Sequence, residues 1–291
     1  MKQNRHARPI GGRHWPARTL MLILALLMLA PIIVTALYSF FSPAEIKAYM
    51  ATRGSYDDAA WMDVKLSPMM FSLSQYYEIL IRDTSILRMF VNSAFYTVMI
   101  LLGQAAVVPM LAYALSRFEF RGRDAIFFGI LMLMLLPFQV TMVPNVLTLR
   151  RLGLLNTVWA VILPMWFSPF YIFLLRQFMV GLPNELLEAA QMDGAGTVRC
   201  YYHIVLPVCR PVIGAAIALS FADCWNLVEQ PMTYLSQNTE LQPLSVMFNQ
   251  LVEDSSGIEF AGAAIYILPA LFVYLYFLKD ILTGVQLTEL K

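Results

Sequence analysis

Residues 89–115 read MFVNSAFYTVMILLGQAAVVPMLAYAL, a run without a single Asp, Glu, Lys or Arg. At 1.5 Å of rise per residue it makes a helix of about 40 Å, longer than the roughly 30 Å of hydrocarbon in a bilayer. Five other stretches are read the same way: Thr19 to Phe41, Ala125 to Leu149, Thr157 to Leu175, Val212 to Val228 and Phe260 to Leu278. Only Val212 to Val228 carries a charge, Asp223, and it is also the shortest. The predicted fold class is an all-α polytopic membrane protein with about six transmembrane helices.

Composition agrees. Hydrophobic residues make up 59% and charged residues 13% of the 291-residue chain, against about 45 to 50% and about 25% in soluble domains. So little charge cannot cover a water-facing surface of this size. The formal net charge of +1 provides no basic field for nucleic acid, which drops out as a partner. Cys200, Cys209 and Cys224 have neither C-x-x-C nor metal-ligand spacing and read as reduced, structural residues. The run from Thr19 to Phe41 follows Lys2, Arg5, Arg8, Arg13 and Arg18, the charge order of a secretory signal. It exceeds the roughly 7 to 15 residues of a signal core, so a retained first helix is expected. The expected organisation is a segment 1–18 followed by one transmembrane domain, 19–291.

Basic residues in short segments resist translocation and so set orientation. The five N-terminal cations, together with Arg117, Arg121 and Arg123 after the second span, predict cytoplasmic locations for both termini. The region between the fifth and sixth spans carries Glu240, Glu253, Asp254 and Glu259 and no Lys or Arg, which places it outside. Arg150 and Arg151, after the third span, disagree with this topology. The outer segments are then 42–88 and 231–259, and the long inner loop is 180–210. After Pro243, the spacing of Leu244, Met247, Phe248, Leu251 and Val252 predicts a short amphipathic helix that either caps the bundle or docks a partner. Prolines at Leu136-Pro137, Leu163-Pro164 and Leu268-Pro269, with Pro144, either kink helices or are the ordinary prolines of membrane spans.

The inner loop is the most informative stretch. Gly181 to Pro211 reads GLPNELLEAAQMDGAGTVRCYYHIVLPVCRP. Asn184 is expected to cap a helix with Glu185 and Glu188 in its opening turns, where the helix dipole favours acids. Ala189 and Ala190 allow another surface to approach closely, and Gly194 and Gly196 end the helix. Such a helix either plugs into a partner through Glu188 or lies on lipid headgroups. Headgroup helices favour Lys and Arg on the polar face, whereas this one presents Glu and Asp.

Glu188-Ala189-Ala190, then Gly194, then nine residues, then Ile204-Val205-Leu206-Pro207 resembles the EAA loop of the inner-membrane permeases of bacterial binding-protein-dependent ABC importers. Asp193-Gly194-Ala195, Trp225-Asn226 and Asn92-Ser93 look like the carbohydrate-uptake branch, in particular the smaller permease of a maltose-type pair. The resemblance covers most of the chain from about Ser74 onward. It implies a bacterial inner-membrane permease that translocates a sugar or oligosaccharide by alternating access. It also implies a second permease subunit, two ATPase subunits and an extracytoplasmic solute-binding protein as partners. Glu185, Glu188, Ala189, Ala190, Asp193, Gly194, Ile204, Leu206 and Pro207 become the expected ATPase-coupling residues. The sequence Thr283-Gly284-Val285-Gln286-Leu287 departs from the glycine- and lysine-bearing tail of many such permeases.

The chain has no G-x-x-x-x-G-K-[ST], and none of its five lysines follows a glycine. It is therefore expected to hold no cofactor of its own, with ATP and Mg on the partner ATPase. H-E-x-x-H and G-x-S-x-G are also absent, so no enzymatic role is expected. Asp223, Trp225 and Asn226, with Gln139 and Asn145, are the polar exceptions inside the spans. Amides and a stacking aromatic suit a sugar path, and they equally suit hydrogen bonds between helices. Two other classes remain: an ion-coupled secondary transporter, for which only Asp223 offers a carboxylate, and a membrane scaffold.

Overall fold

The computed structural model describes residues 15–51, 67–82, 84–248 and 258–289. Among these residues the secondary structure is helical, without a strand. Among the described residues five helices are long and apolar enough to cross a membrane, or six when one bent pair is counted as a span. The chain is an all-α, multi-pass membrane protein. Two compact units are distinguished, one within 1–82 and 255–265, the other within 83–254 and 266–291.

In the first unit, α1 (Trp15–Tyr38) leaves its leucines, isoleucines and methionines exposed along its length, as a helix surrounded by lipid does. Its end packs through Tyr38, Phe41 and Ile46, the last on α2 (Pro43–Ala51), with Phe260 against them. Gln75 is fully buried in α3 (Ser74–Tyr77), which continues as a wider turn over Glu78–Arg82. Its Nε2 donates to the Tyr38 and Phe41 carbonyls at 2.8 Å, and its Oε1 accepts from Ala261 N–H at 3.2 Å. A buried amide with both ends satisfied fixes the loop after α1.

The second unit is built around α4 (Thr84–Arg117), which packs against α7 (Val158–Met165), α8 (Pro169–Val180) and α11 (Leu206–Trp225). The span Val158–Val180 is broken at Trp166–Ser168, between Pro164 and Pro169. The break is sealed from α4. Gln104 Nε2 donates to the Met165 carbonyl at 2.7 Å, while the Ser220 hydroxyl of α11 donates to Gln104 Oε1. Trp166 donates from Nε1 to the Met99 carbonyl at 3.1 Å and lies so close that a Cβ on Gly103 would stand 2.0 Å from that nitrogen. Only glycine fits there.

Three expected boundaries change. The third span is not one continuous helix: α5 (Arg123–Leu135) and α6 (Phe138–Arg151) meet at 109° across Leu136-Pro137. The proline ring pushes Leu136 out of the helical region, to φ −77° and ψ 129°. The fourth span runs to Val180 rather than Leu175. The fifth begins at Thr197, fifteen residues before Val212: α10 (Thr197–Cys200) passes through a wide turn, Tyr201–Val205, into α11. Widening the turn ahead of Pro207 relieves the clash between a proline ring and the carbonyl one turn earlier, so the helix continues.

After α12 (Glu229–Tyr234), residues 239–244 lie across the start of α4. Asn92 Nδ2 donates to the Glu240 and Gln242 carbonyls, Tyr96 to that of Leu241, and Ser93 Oγ accepts from Leu244 N–H at 2.9 Å. Residues 244–248 are helical and Leu244 is buried, so this part of the expected amphipathic helix covers the bundle. Leu251 and Val252 lie outside the described residues. The final helix, α13 (Glu259–Glu289), runs through Pro269 without a break. All three cysteines are free and buried.

Candidate functional site

The loop between α8 and α11 is shaped at one end by Pro183 and at the other by Gly194. Pro183, with φ −57° and ψ 133°, stands at the cap position of α9 (Asn184–Met192) and provides no side-chain bond. Asn184 is therefore the first helical residue and not the cap. Its Oδ1 is taken by Arg117, whose Nη1 donates to it. The Arg117 Nη2 donates to the carbonyls of Met179 at 2.6 Å and Leu182 at 2.7 Å. One guanidinium thus joins the end of α4, the exit of α8 and the entry of α9. In the sequence Arg117 stood out only as a topology marker.

At the far end Gly194 takes φ +79°, the left-handed conformation that terminates a helix. Ala195 N–H donates to the Ala190 carbonyl and Gly194 N–H to that of Gln191, both at 2.9 Å. This nested pair is the Schellman arrangement, in which otherwise orphaned carbonyls are satisfied. A Cβ at Gly194 would meet nothing within 4 Å, so the demand for glycine is conformational and not one of space.

Between these fixed ends α9 is strongly one-sided. Leu182 and Leu187 pack onto a buried cluster that includes Met179, Tyr201, Val205 and Cys209, and Leu206 packs there too. Glu185, Leu186, Glu188, Ala189, Met192 and Asp193 are exposed, while Ala190 and Ile204 are half-buried and Pro207 is exposed. Met192 is 88% exposed and Val198, on α10, 70%. Glu188 makes no ion pair among the described residues. The free face therefore combines carboxylates that make no ion pair among the described residues with open apolar side chains.

The polar residues of the fifth span separate into different roles. Asp223 accepts a hydrogen bond from the Tyr171 hydroxyl of α8 at 2.8 Å and is otherwise exposed. Trp225 turns into the core and is 3% exposed, stacked on Phe221 and Tyr266 and edge-on to Phe90, with Nε1 donating to the Tyr266 carbonyl. Its ring offers no open face. Asn226 closes α11, donating from Nδ2 to the Ala222 carbonyl and accepting from the Tyr266 hydroxyl at Oδ1. Gln139 donates to Glu229, an exposed carboxylate that the sequence reading passed over although it lies only three residues beyond Asn226. Tyr171 carried no signal, because an aromatic in an apolar span reads as core.

Over residues 105–279 the sequence matches the family described as the binding-protein-dependent transport system inner membrane component. The chain belongs to that family. An EAA motif is typical of that family. This permease is similar to the polygalacturonan/rhamnogalacturonan transport system permease protein YtcP of Bacillus subtilis, 31% identical over 78% of this chain and 84% of that one. It is also similar to the arabinooligosaccharides transport system permease protein AraQ of Halalkalibacterium halodurans, 29% identical over 69% of this chain and 73% of that protein. Among solved structures, a chain of a bacterial ABC transporter involved in the import of the acidic polysaccharide alginate superimposes with a TM-score of 0.76, at 25% identity, covering 90% of this chain and 94% of that one. These relatives are transport subunits, and the permease is likewise a transport subunit and not an enzyme.

Proposed function

We propose that this permease imports a sugar or oligosaccharide across the bacterial inner membrane, driven by ATP hydrolysed on a separate ATPase. The observation that carries the coupling reading is the exposed face of α9, held rigidly at both ends and presenting Glu188 without an ion-pair partner among the described residues. A carboxylate in that position recruits a basic residue of an ATPase subunit, while Ala189 and Ala190 admit close approach. The working assembly pairs the permease with a second permease, two ATPase subunits that carry ATP and Mg, and an extracytoplasmic solute-binding protein. Closure of the ATPase pair displaces the α9 helices and switches the bundle between inward- and outward-open states. The asymmetry of Lys and Arg supports a cytoplasmic location for both termini and α9. The sugar assignment is supported by the oligosaccharide systems named for its relatives. Of the polar residues of the fifth span, Asp223 and Asn226 remain open to a solute path, with Trp225 supporting them from the core.

The test is co-purification from native membranes. Wild-type permease retains an ATPase chain and Glu188→Lys loses it, because reversal replaces attraction with like-charge repulsion against the basic partner. Compensating charge reversal on the ATPase restores the complex. Retention of the ATPase at wild-type levels by Glu188→Lys refutes the docking role of this loop.

A further inference from the structure

We propose that Arg117 is the positioning residue through which displacement of α9 reaches the transmembrane bundle. The inference deepens the docking role of α9 and rests on it. Two guanidinium groups cross between α4 and α8 in opposite directions. Arg117, the last residue of α4, donates to the Met179 and Leu182 carbonyls at the exit of α8. Arg176 of α8 donates from Nε to the Leu115 carbonyl of α4 at 3.2 Å, with its guanidinium carbon 3.7 Å from the centroid of the Phe127 ring on α5. These bonds tie the ends of α4 and α8 into one body. The Leu115 and Met179 carbonyls lie in the last turns of their helices and the Leu182 carbonyl just beyond α8, where intrahelical donors run out; Met179 also accepts Leu182 N–H at 3.2 Å.

α9 is attached to that body by two means. Leu187 packs on the buried cluster, as does Leu182 just ahead of the helix, a contact that is non-directional and permits sliding. The Arg117 to Asn184 bond is directional, falls on the first residue of α9, and comes from the same planar group that holds α8. Among the described residues, the bond to Arg117 is the side-chain hydrogen bond that ties α9 to α4, so a displacement of α9 is felt there. A planar five-donor group serves three acceptors in fixed directions, which the compact ammonium of lysine does not reproduce.

The experiment uses the complete transporter in lipid nanodiscs, with an environment-sensitive maleimide dye on Val98→Cys, an exposed position of α4; the native cysteines are buried. ATP with vanadate is the probe, and the amplitude of the dye response and retention of the ATPase are the readouts. Arg117→Ala and Asn184→Ala each keep the ATPase bound and reduce the amplitude roughly two- to thirtyfold, the range seen when coupling networks are cut. The double variant is no worse than Arg117→Ala alone, since both remove one link. Asn184→Ala alters an exposed side chain and decides the matter even if Arg117→Ala does not assemble. A wild-type response from Asn184→Ala, or single losses that multiply in the double variant, overturns the proposal. Loss of the ATPase from Glu188→Lys, measured in parallel, shows that α9 docks; if Glu188→Lys keeps it, the docking reading itself has failed and the proposal falls with it.

Discussion

Replacing Gly194 by Ala separates conformational strain from crowding at the end of α9. The backbone at Gly194 has φ +79°, which a residue with a Cβ reaches only at a cost of about 1 to 2 kcal/mol. No atom lies within 4 Å of the added methyl, so no steric cost is incurred. The strain falls on the two nested bonds that close the helix, Ala195 to Ala190 and Gly194 to Gln191. If docking needs that closed end, the affinity for the ATPase drops by up to about 5- to 30-fold, since each 1.4 kcal/mol is a factor of ten. Asparagine visits the left-handed region far more readily than alanine, so Gly194→Asn is expected between wild type and Gly194→Ala. The assay is titration of purified permease in nanodiscs with the ATPase subunit, with membrane yield as the control. Yield should not change, because Gly194 is exposed and no residue of α9 is itself fully buried. Wild-type affinity for Gly194→Ala, or an asparagine variant as weak as the alanine one, refutes the reasoning.

Three other outcomes are expected. Gly103→Ala drives a methyl into the Trp166 ring and strains the seal over the break in the fourth span, by about 1 to 3 kcal/mol, whereas Gly129→Ala meets nothing; thermal aggregation of the purified permease should distinguish them. Trp225→Ala removes a buried ring and its bond to Tyr266, a loss of about 3 to 5 kcal/mol that lowers the yield of folded permease, while Asn226→Ala lowers uptake per assembled complex in assays with a panel of labelled oligosaccharides. Unchanged uptake for Asn226→Ala removes that residue from the solute path. A cysteine at Asn238 is labelled by an impermeant reagent from outside the cell; labelling only from the cytoplasmic side inverts the topology.

Much of the membrane architecture is legible because lipid imposes a length and a polarity on every crossing helix. The runs starting at Thr19, Met89 and Phe260 need no tertiary information for that reason. Leu136-Pro137 was less legible. A proline in an apolar run permits either a modest kink or a break, and hydropathy is blind to which occurs. The late start assigned to the fifth span has a related cause: Arg199, His203 and Arg210 lower the local hydropathy while the backbone stays helical. The EAA residues were found from spacing, yet their division into a free face of Glu185 and Glu188 and an anchored face of Leu187 and Leu206 depends on what lies beneath the loop.

The sequence by itself determined the membrane class, most of the spans, the family and the position of the EAA loop, because these follow from local composition and from residues close together in the chain. Only the tertiary structure decided that Asn184 answers to Arg117, that Gln75 and Gln104 seal loops and breaks, and that Trp225 supports rather than lines an open surface. The hydrogen bonds behind these facts join residues 34 to 186 positions apart, and the burial of Trp225 depends on which way a side chain turns. A hydrogen bond has no periodicity to betray it, so its partner becomes known only when the helices that carry both ends are packed.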